Sequence, residues 1–343
     1  MYKLIVTICL GITVSIIVIA ILLIPHDTDI SEYNIDRIKY SIQYHMYRFF
    51  QYFQPEFHCP MTIENGNICP ISRLNYPIRI WFFWDGPISK TVEFCLSTWK
   101  KHCPPDQYEI THISSENILQ YVDELHCNTE TIKPQLKSDY VRLELMAKYG
   151  GIYMDASVIM TTSFETWLFT DSTAYECMHA IYNSKLMSVD CDHPMIESSF
   201  LVAPPGHSVI VKWLEQFKRV NSPCSSNDII EYMMSEPSNI QTRFLDLTYH
   251  AVYHSFQHMM NNTEDYPHHS TRFYDNDILQ FLDTNYNIID NPDKKLNLLK
   301  QGIIRGPLVK FVKKEREYLD KFLSTNNGDK LIESVRQISA LKR

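Results

Sequence analysis

Apolar residues in the middle of the chain fall into short runs whose spacing alternates between a strand period and a helix period. Residues 77–84 (PIRIWFFW) form a nearly continuous apolar run, typical of a strand buried on both faces, and the turn residues Asp85-Gly86-Pro87 follow it. Residues 91–102 have helical spacing, and residues 108–113 alternate as a strand does. Strands that alternate with helices predict an α/β fold, a mostly parallel sheet with helices on both faces.

The stretch KSDYVRLELMAKYGGIYMDAS continues this alternation and adds an unusual break. Residues 138–149 have a helical apolar period, and the two glycines that follow stand out because the chain has only 9 glycines in 343 residues. Gly150 fits a left-handed helix cap, and Gly151 releases the chain into a short strand, 152–154, which ends at Asp155. Further helices are predicted at residues 118–125, 208–220, 242–260 and 313–323, with loops and short strands at 261–305.

The N-terminus departs from this globular pattern. Leu4–Ile24 is a run of 21 uncharged residues, which as a helix would span about 32 Å and cross a bilayer. A cleaved signal peptide is the alternative, but its apolar core is usually about 7–15 residues long. The flanking charges favour a type II signal anchor, with the bulk of the chain luminal or extracytoplasmic. We therefore predict a short tail and a transmembrane helix at 1–25, a stem at 26–70 and one large folded domain at 71–343.

The charge and the cysteine content limit the possible binding partners and the cellular compartment of the protein. The net charge of −8, with no long basic run, argues against a nucleic-acid binder held by phosphate contacts. Eight of the nine cysteines follow the apolar segment, which suits an oxidising compartment, and Cys59 with Cys69 is the first candidate for a disulfide. Asn261-Asn262-Thr263 is an acceptor sequence for N-glycosylation.

The chemistry-bearing residues gather around the glycine pair. Asp139 and Arg142 are three residues apart, so they share a helix face. Asp155 follows a strand, and ligands of open α/β sheets bind outside the carboxyl ends of strands. Each feature also has a purely structural interpretation, namely a helix cap, a surface ion pair and a solvated strand end. Their combined order and spacing favour a functional site.

This block resembles the donor-site block of glycosyltransferases of the GT-A fold. It is most similar to the families with a sugar-binding region containing a DXD motif and to the capsular polysaccharide synthesis proteins, in which SD-x-x-R precedes a doubled glycine and Asp-x-Asp or Asp-x-Ser. The stretches IRIWFFWDGP, HPMIESSFLVAPPGHSVIVKWLEQF and GPLVKF extend the resemblance over residues 77–315. It implies a Rossmann-like GT-A domain and transfer of a sugar from a nucleotide donor to a glycan, glycolipid or glycoprotein.

The resemblance also implies roles for individual residues. Asp155 and Ser157 would hold a divalent metal, Mn²⁺ or Mg²⁺, that offsets the charge of the departing diphosphate. Asp139, Arg142 and Glu197 would form the catalytic group. The donor-binding set would comprise Trp84, which would stack on the base unless it is a core tryptophan, with Asp139, Arg142, Gly151, Asp155 and Lys310.

Two departures from the family pattern keep other functions open. Ser157 stands where many relatives have a second aspartate, and Ser198-Ser199-Phe200 follows Glu197 where Trp-Phe is frequent. The expected activity is that of a metal-dependent, retaining hexosyl- or N-acetylhexosaminyl-transferase that uses a UDP-sugar in preference to a GDP-sugar. The alternatives are an inactive sugar- or nucleotide-binding protein and a sugar-phosphate transferase.

Overall fold

The computed structural model describes residues 74–123, 134–182, 196–220, 249–261, 271–275, 279–280 and 306–325. All of them belong to one compact unit, Phe57–Arg343. None of the helices in these ranges is long and apolar enough to cross a bilayer. The predicted anchor at Leu4–Ile24, the stem at 26–70, the Cys59–Cys69 pair and the glycosylation sequence lie outside the described residues and stay predictions.

Within these described ranges, nine strands form two sheets. In chain order they are β1 Ile78–Phe83, β2 Tyr108–Ile113, β3 Gly151–Met154, β4 Val158–Met160, β5 Met178–Tyr182, β6 Ile196–Ala203, β7 Thr271–Asp275, β8 Leu279–Gln280 and β9 Leu308–Lys310. The larger sheet has the order β2-β1-β3-β6-β5-β7, and the smaller has the order β4-β9-β8. Three of the five pairings in the larger sheet are parallel, whereas β6 runs antiparallel to both of its neighbours.

The described α-helices are α1 Lys90–His102, α2 Pro134–Tyr149, α3 Ser208–Val220, α4 Ala251–Asn261 and α5 Lys313–Leu323. Side chains of β1 alternate between the two faces of the sheet, so that Phe82 packs edge-on against Trp99 of α1. Trp81 faces the other way and contacts Tyr149 of α2. Helices therefore cover both faces, as predicted.

The glycine pair shapes the passage from α2 into β3. Gly150 has φ +62°, and its amide donates to the Met146 carbonyl at 3.1 Å, which ends the helix in a left-handed cap. Gly151 has φ +99°, and a Cβ there would lie 2.5 Å from the Arg79 carbonyl oxygen. Both positions therefore require glycine, and the chain enters β3 in close contact with β1.

Two predicted elements differ from the structure. Residues 118–125 were expected to form a helix, but the described part contains only a 3₁₀ turn at Ile118–Gln120. The helix expected at 242–260 begins at Ala251 within the described residues, and 242–248 lie outside them. The strand–helix alternation also stops after β3, because β4 follows a tight turn directly, and this change accompanies the antiparallel direction of β6.

Candidate functional site

Arg142 lies at the centre of a buried polar cluster at the carboxyl end of β3. Its Nη1 contacts Asp139 Oδ1 one helical turn earlier and donates to Ser198 Oγ at 2.7 Å. Its Nη2 donates to Asp155 Oδ1 at 3.1 Å. The guanidinium lies 4.6 Å from the ring centroid of Tyr153, and only 5% of the Arg142 side chain is exposed. One cation thus ties α2, β3 and β6 together.

Lys310 supplies the second cation. Strand β9 pairs antiparallel with β4, with Lys310 opposite Val158, and Val158 closes a tight turn by donating its amide to the Asp155 carbonyl at 3.0 Å. This pairing places Lys310 Nζ 3.0 Å from Asp155 Oδ2 and 3.5 Å from Glu197 Oε1. Each carboxylate oxygen of Asp155 therefore contacts a different cation.

A bulge in β6 brings Glu197 to the cluster. Against β5, Leu201 pairs with Ala180 but Glu197 pairs with the next residue, Ile181, so that residues 198–200 have no partner on that strand. The bulged segment turns its backbone to the site, where the Ser199 carbonyl accepts from the Asp155 amide at 2.9 Å. Bulges of this kind redirect side chains next to active sites. Glu197 is the second residue of β6.

Tyr253 closes the cluster from α4. Its hydroxyl donates to Glu197 Oε1 at 2.9 Å, and the Ser199 amide donates to the same oxygen at 3.2 Å. Sequence reasoning did not single out Tyr253, which is one of several apolar or aromatic positions in a helix with no motif around it. Sequence reasoning also missed Ser198 as a partner of Arg142. It had noted only that Ser198 stands where Trp-Phe is frequent in the family.

The charges of the cluster shift one another's titration. Burial acts to raise the pKa of Asp155, but the charges of Lys310 and Arg142 outweigh it and hold that pKa below its usual value. Burial acts to lower the pKa of Lys310, and the carboxylates of Asp155 and Glu197 raise it instead. For Asp139, burial dominates over the attraction of Arg142 and raises the pKa to about 6. At neutral pH Lys310 therefore stays charged, and Asp139 is protonated more readily than Asp155.

Asp155 has the donor atoms that a hard cation prefers, but each of its oxygens already contacts Arg142 or Lys310. Its side chain is 24% exposed, more than that of Lys310 at 14% or Glu197 at 2%, and carboxylate oxygens are the ligands preferred by Mg²⁺ and Mn²⁺. Within the described ranges no group of three or more His, Cys, Asp or Glu residues is placed to hold a metal. Ser157 is buried, and its carbonyl accepts from the Phe311 amide at 2.9 Å. A metal ion here would rest on one carboxylate, and the role of Ser157 stays a prediction.

A second polar group lies at the same edge of the sheet, beyond β1. Asp85 accepts from the amide and the hydroxyl of Ser115, each at 2.6 Å, and Lys137 Nζ lies 3.6 Å from Asp85 Oδ2. These hydrogen bonds and the Lys137 charge outweigh burial and lower the pKa of Asp85. Trp84 adjoins this group, half-buried, with its Nε1 donating to the Pro87 carbonyl at 3.1 Å.

The predicted residues are therefore not all in one place. Arg142 joins Asp139 to Asp155, and Lys310 joins Asp155 to Glu197, whereas Trp84 belongs to the neighbouring group on β1. Gly151 is at the amino end of β3, about 13 Å along the strand from Asp155. Its described contacts are with β1, so its predicted role in donor binding gains no support from the geometry.

The sequence of this region identifies the family. The profile of the family described as "Capsular polysaccharide synthesis protein" matches residues 34–269, more than half of the chain. The chain belongs to the capsular polysaccharide synthesis protein family. The matched residues include Arg142, Asp155, Glu197 and Tyr253, so most of the cluster lies within the part of the chain that the family profile covers. Lys310 lies beyond it. No curated protein matches the chain closely enough to count as a relative.

Solved structures similar to this member of the capsular family include proteins named as glycosyltransferases. The apo WbbM bifunctional "glycosytransferase" has 10% identity and a TM-score of 0.39 over 79% of this chain and 53% of its own. GlyE of Streptococcus pneumoniae TIGR4 has 12% identity and a TM-score of 0.35, with 77% and 64% covered. The galactosyltransferase LgtC, in complex with donor and acceptor sugar analogues, has 11% identity and a TM-score of 0.36, with 77% and 95% covered. The chain thus spans about half to two thirds of WbbM and GlyE, and TM-scores this low do not establish a common fold.

Proposed function

We propose that this protein is a glycosyltransferase that moves a sugar from a nucleotide-sugar donor to a glycan, glycolipid or glycoprotein acceptor. The observation that supports it is the buried cluster in which Arg142 and Lys310 flank Asp155 at the carboxyl end of β3. These residues stand in the stretches that resemble the glycosyltransferase blocks, and they come from three separate elements. A mere helix cap or surface ion pair would not require this convergence.

The reaction builds negative charge on the departing nucleoside diphosphate. Fixed cations placed where that charge develops stabilise the transition state more than the ground state. Lys310 and Arg142 would provide such donors, with Arg142 able to present a fork of N–H groups. The buried carboxylate of Asp139 would accept hydrogen bonds from sugar hydroxyls, and Glu197 would contact the acceptor near the reacting centre.

A divalent metal, Mn²⁺ or Mg²⁺, is part of the proposal. Asp155 would hold it, with the Ser157 hydroxyl as a direct or water-bridged second ligand. When bound, the ion would add to the charge compensation of the diphosphate oxygens. One or two protein carboxylates are sufficient for a cation that keeps several waters.

Other features of the proposal rest on the sequence. We propose a single-pass type II membrane protein with a luminal or extracytoplasmic catalytic domain, because Leu4–Ile24 is long and apolar enough for an anchor. Retention of anomeric configuration, a UDP-sugar donor and transfer of a hexosyl or N-acetylhexosaminyl group follow from the family resemblance. The half-buried Trp84 at the end of β1 is proposed to contact the nucleobase.

The test is nucleotide release by the full-length chain in detergent, incubated with a panel of UDP- and GDP-sugars and a mixture of glycan acceptors, with Mn²⁺, Mg²⁺ or EDTA. Asp155→Asn should reduce release by at least about 100-fold, since it removes the charge between the two cations. Asp123→Asn is the matched control, because the Asp123 side chain is 88% exposed and pairs with Lys148 at the surface. Equal turnover by wild type and Asp155→Asn would refute the role of the cluster.

The same assay separates the alternatives. The donor is labelled both on the sugar ring and on the β-phosphate. For a glycosyltransferase, only the sugar label should enter the acceptor. Transfer of both labels would indicate a sugar-phosphate transferase. Donor binding by calorimetry without release from any donor would indicate an inactive binding protein.

A further inference from the structure

Tyr253 is held in place independently of the site. The Trp213 Nε1 of α3 donates to the Val252 carbonyl at 2.9 Å and to Ser255 Oγ at 3.0 Å, on either side of Tyr253 in the chain. Phe256 packs edge-on against the same indole, with ring centroids 4.9 Å apart. Helix α4 is therefore fixed on α3, and it presents the Tyr253 hydroxyl to β6 from a rigid support.

Glu197 borders the bulge: its backbone pairs with Ile181 of β5, and residues 198–200 after it have no partner on that strand. Backbone pairing does not fix a side-chain carboxylate, so the Glu197 carboxylate depends on its side-chain contacts. Both described hydrogen bonds of the carboxylate, from Tyr253 and Ser199, end on Oε1, and the 3.5 Å distance to Lys310 Nζ is from the same oxygen. Neither hydrogen bond involves the second oxygen, Oε2.

We propose that Tyr253 is a positioning residue for the transfer reaction: it anchors Oε1 of Glu197 so that Oε2 accepts a hydrogen bond from the acceptor's hydroxyl group. This inference rests on the proposed function. The ligand class it concerns is a hydroxyl-bearing acceptor, not the nucleotide. Burial and the neighbouring Glu197 charge raise the Tyr253 pKa far above its usual value, which keeps the hydroxyl a donor throughout the pH range of an assay.

The chain contains a matched tyrosine–glutamate pair. Tyr108, at the amino end of β2, donates its hydroxyl to Glu165 at 2.6 Å and is buried in the core beneath the sheet. Tyr108→Phe removes the same kind of hydrogen bond away from the cluster. Loss of one such bond costs about 1–3 kcal/mol, which is less than the stability of a typical domain, so both Phe variants should fold.

The experiment measures kcat and KM for donor and acceptor with wild type, Tyr253→Phe, Glu197→Gln, the double variant and Tyr108→Phe, all as full-length chains. Tyr253→Phe should lower kcat for transfer about tenfold or more while the donor KM changes less than about twofold. In the Glu197→Gln background, Tyr253→Phe should add less than about twofold, because a residue that acts through Glu197 has nothing left to position. Tyr108→Phe should keep wild-type kcat.

The outcomes separate this inference from the function on which it rests. Normal kcat in Tyr253→Phe would overturn the positioning role. So would fully additive effects of Tyr253→Phe and Glu197→Gln on kcat. In both cases transfer by the wild type would still support the proposed function. A raised donor KM with unchanged kcat would overturn it in favour of a donor contact. Absence of transfer by wild type with every donor would overturn the proposed function and this inference with it.

Discussion

Two arginines stack on neighbouring aromatic rings on one face of the sheet, and they differ in burial. Trp81 and Tyr153 are paired across β1 and β3; Arg79 lies 5.3 Å from the ring centroid of Trp81, and Arg142 lies 4.6 Å from that of Tyr153. Arg79 is 40% exposed and pairs with one carboxylate, Glu109, at 3.0 Å. Arg142 is 5% exposed.

The comparison shows what burial of the same side chain demands. Exposed Arg79 has water as a partner, so one carboxylate and a ring are enough. Arg142 is surrounded instead by Asp139, Asp155 and Ser198. Desolvation of such a group offsets most of the Coulomb attraction, so a buried pair is weak support for a stabilising role. A stabilising role alone therefore does not account for the Arg142 arrangement, which agrees with the donor-binding role proposed for it above.

The largest expected effect is on stability when each arginine is removed. Arg142→Met should lower the free energy of unfolding by about 3–5 kcal/mol, because it leaves the buried Asp139 carboxylate without its cation and leaves Asp155 with Lys310 alone. Arg79→Met should cost about 1 kcal/mol, the sum of an exposed ion pair and an exposed cation–π contact. Urea denaturation of both variants at neutral pH measures the two values. Similar losses at the two sites would break the comparison.

The second effect is a pH dependence of stability caused by Asp139. Burial raises its pKa to about 6 from 3.8, so between these values the folded chain binds a proton that the unfolded chain has released. Stability from this group therefore falls as pH rises from about 4 to about 6 and is constant above that. Asp139→Asn lacks the titration, so its stability relative to wild type should increase by about 1–3 kcal/mol across the window.

Urea denaturation at several pH values between about 4 and about 7.5 tests this prediction. The lowered pKa of Asp155 acts below about pH 4, so it does not enter the window. Glu109→Gln, the corresponding change beside Arg79, should differ from wild type by less than about 0.5 kcal/mol at each pH. A constant difference between Asp139→Asn and wild type would show that Asp139 does not titrate in this range.

The sequence predicted the half of the site that is local in the chain. Asp139 and Arg142 are one helical turn apart, and Asp155 follows a strand, so periodicity alone places them at one edge of the sheet. Strands β1 and β2 and helices α1, α3 and α5 were predicted almost to the residue, because each has a regular apolar period between clear stop signals.

The other half depends on pairings that no local pattern encodes. Lys310 reaches Asp155 because β9 pairs with β4, about 150 residues earlier in the chain, in a sheet that the sequence did not predict. Tyr253 reaches Glu197 because a bulge turns residues 198–200 and because Trp213 fixes α4. These contacts result from long-range packing: the family resemblance named Lys310 and Glu197 as site residues without showing what they contact, and no motif around Tyr253 marked that position.

The smallest expected effect sharpens the comparison from the exposed side. A double-mutant cycle of Arg79→Met and Glu109→Gln should give a coupling energy of about 0.5 kcal/mol at low salt, because both side chains are well solvated. Raising the salt from about 0.05 M to about 0.5 M should remove most of that coupling, since screening then acts over only a few ångströms. The corresponding cycle of Arg142→Met and Asp155→Asn should keep its larger coupling at both salt concentrations, because that pair is largely shielded from solvent ions. A coupling between Arg79 and Glu109 that does not change with salt would mean that the stacking on Trp81 and the strand, not charge, hold this exposed pair. The two arginines would then differ only in their solvation.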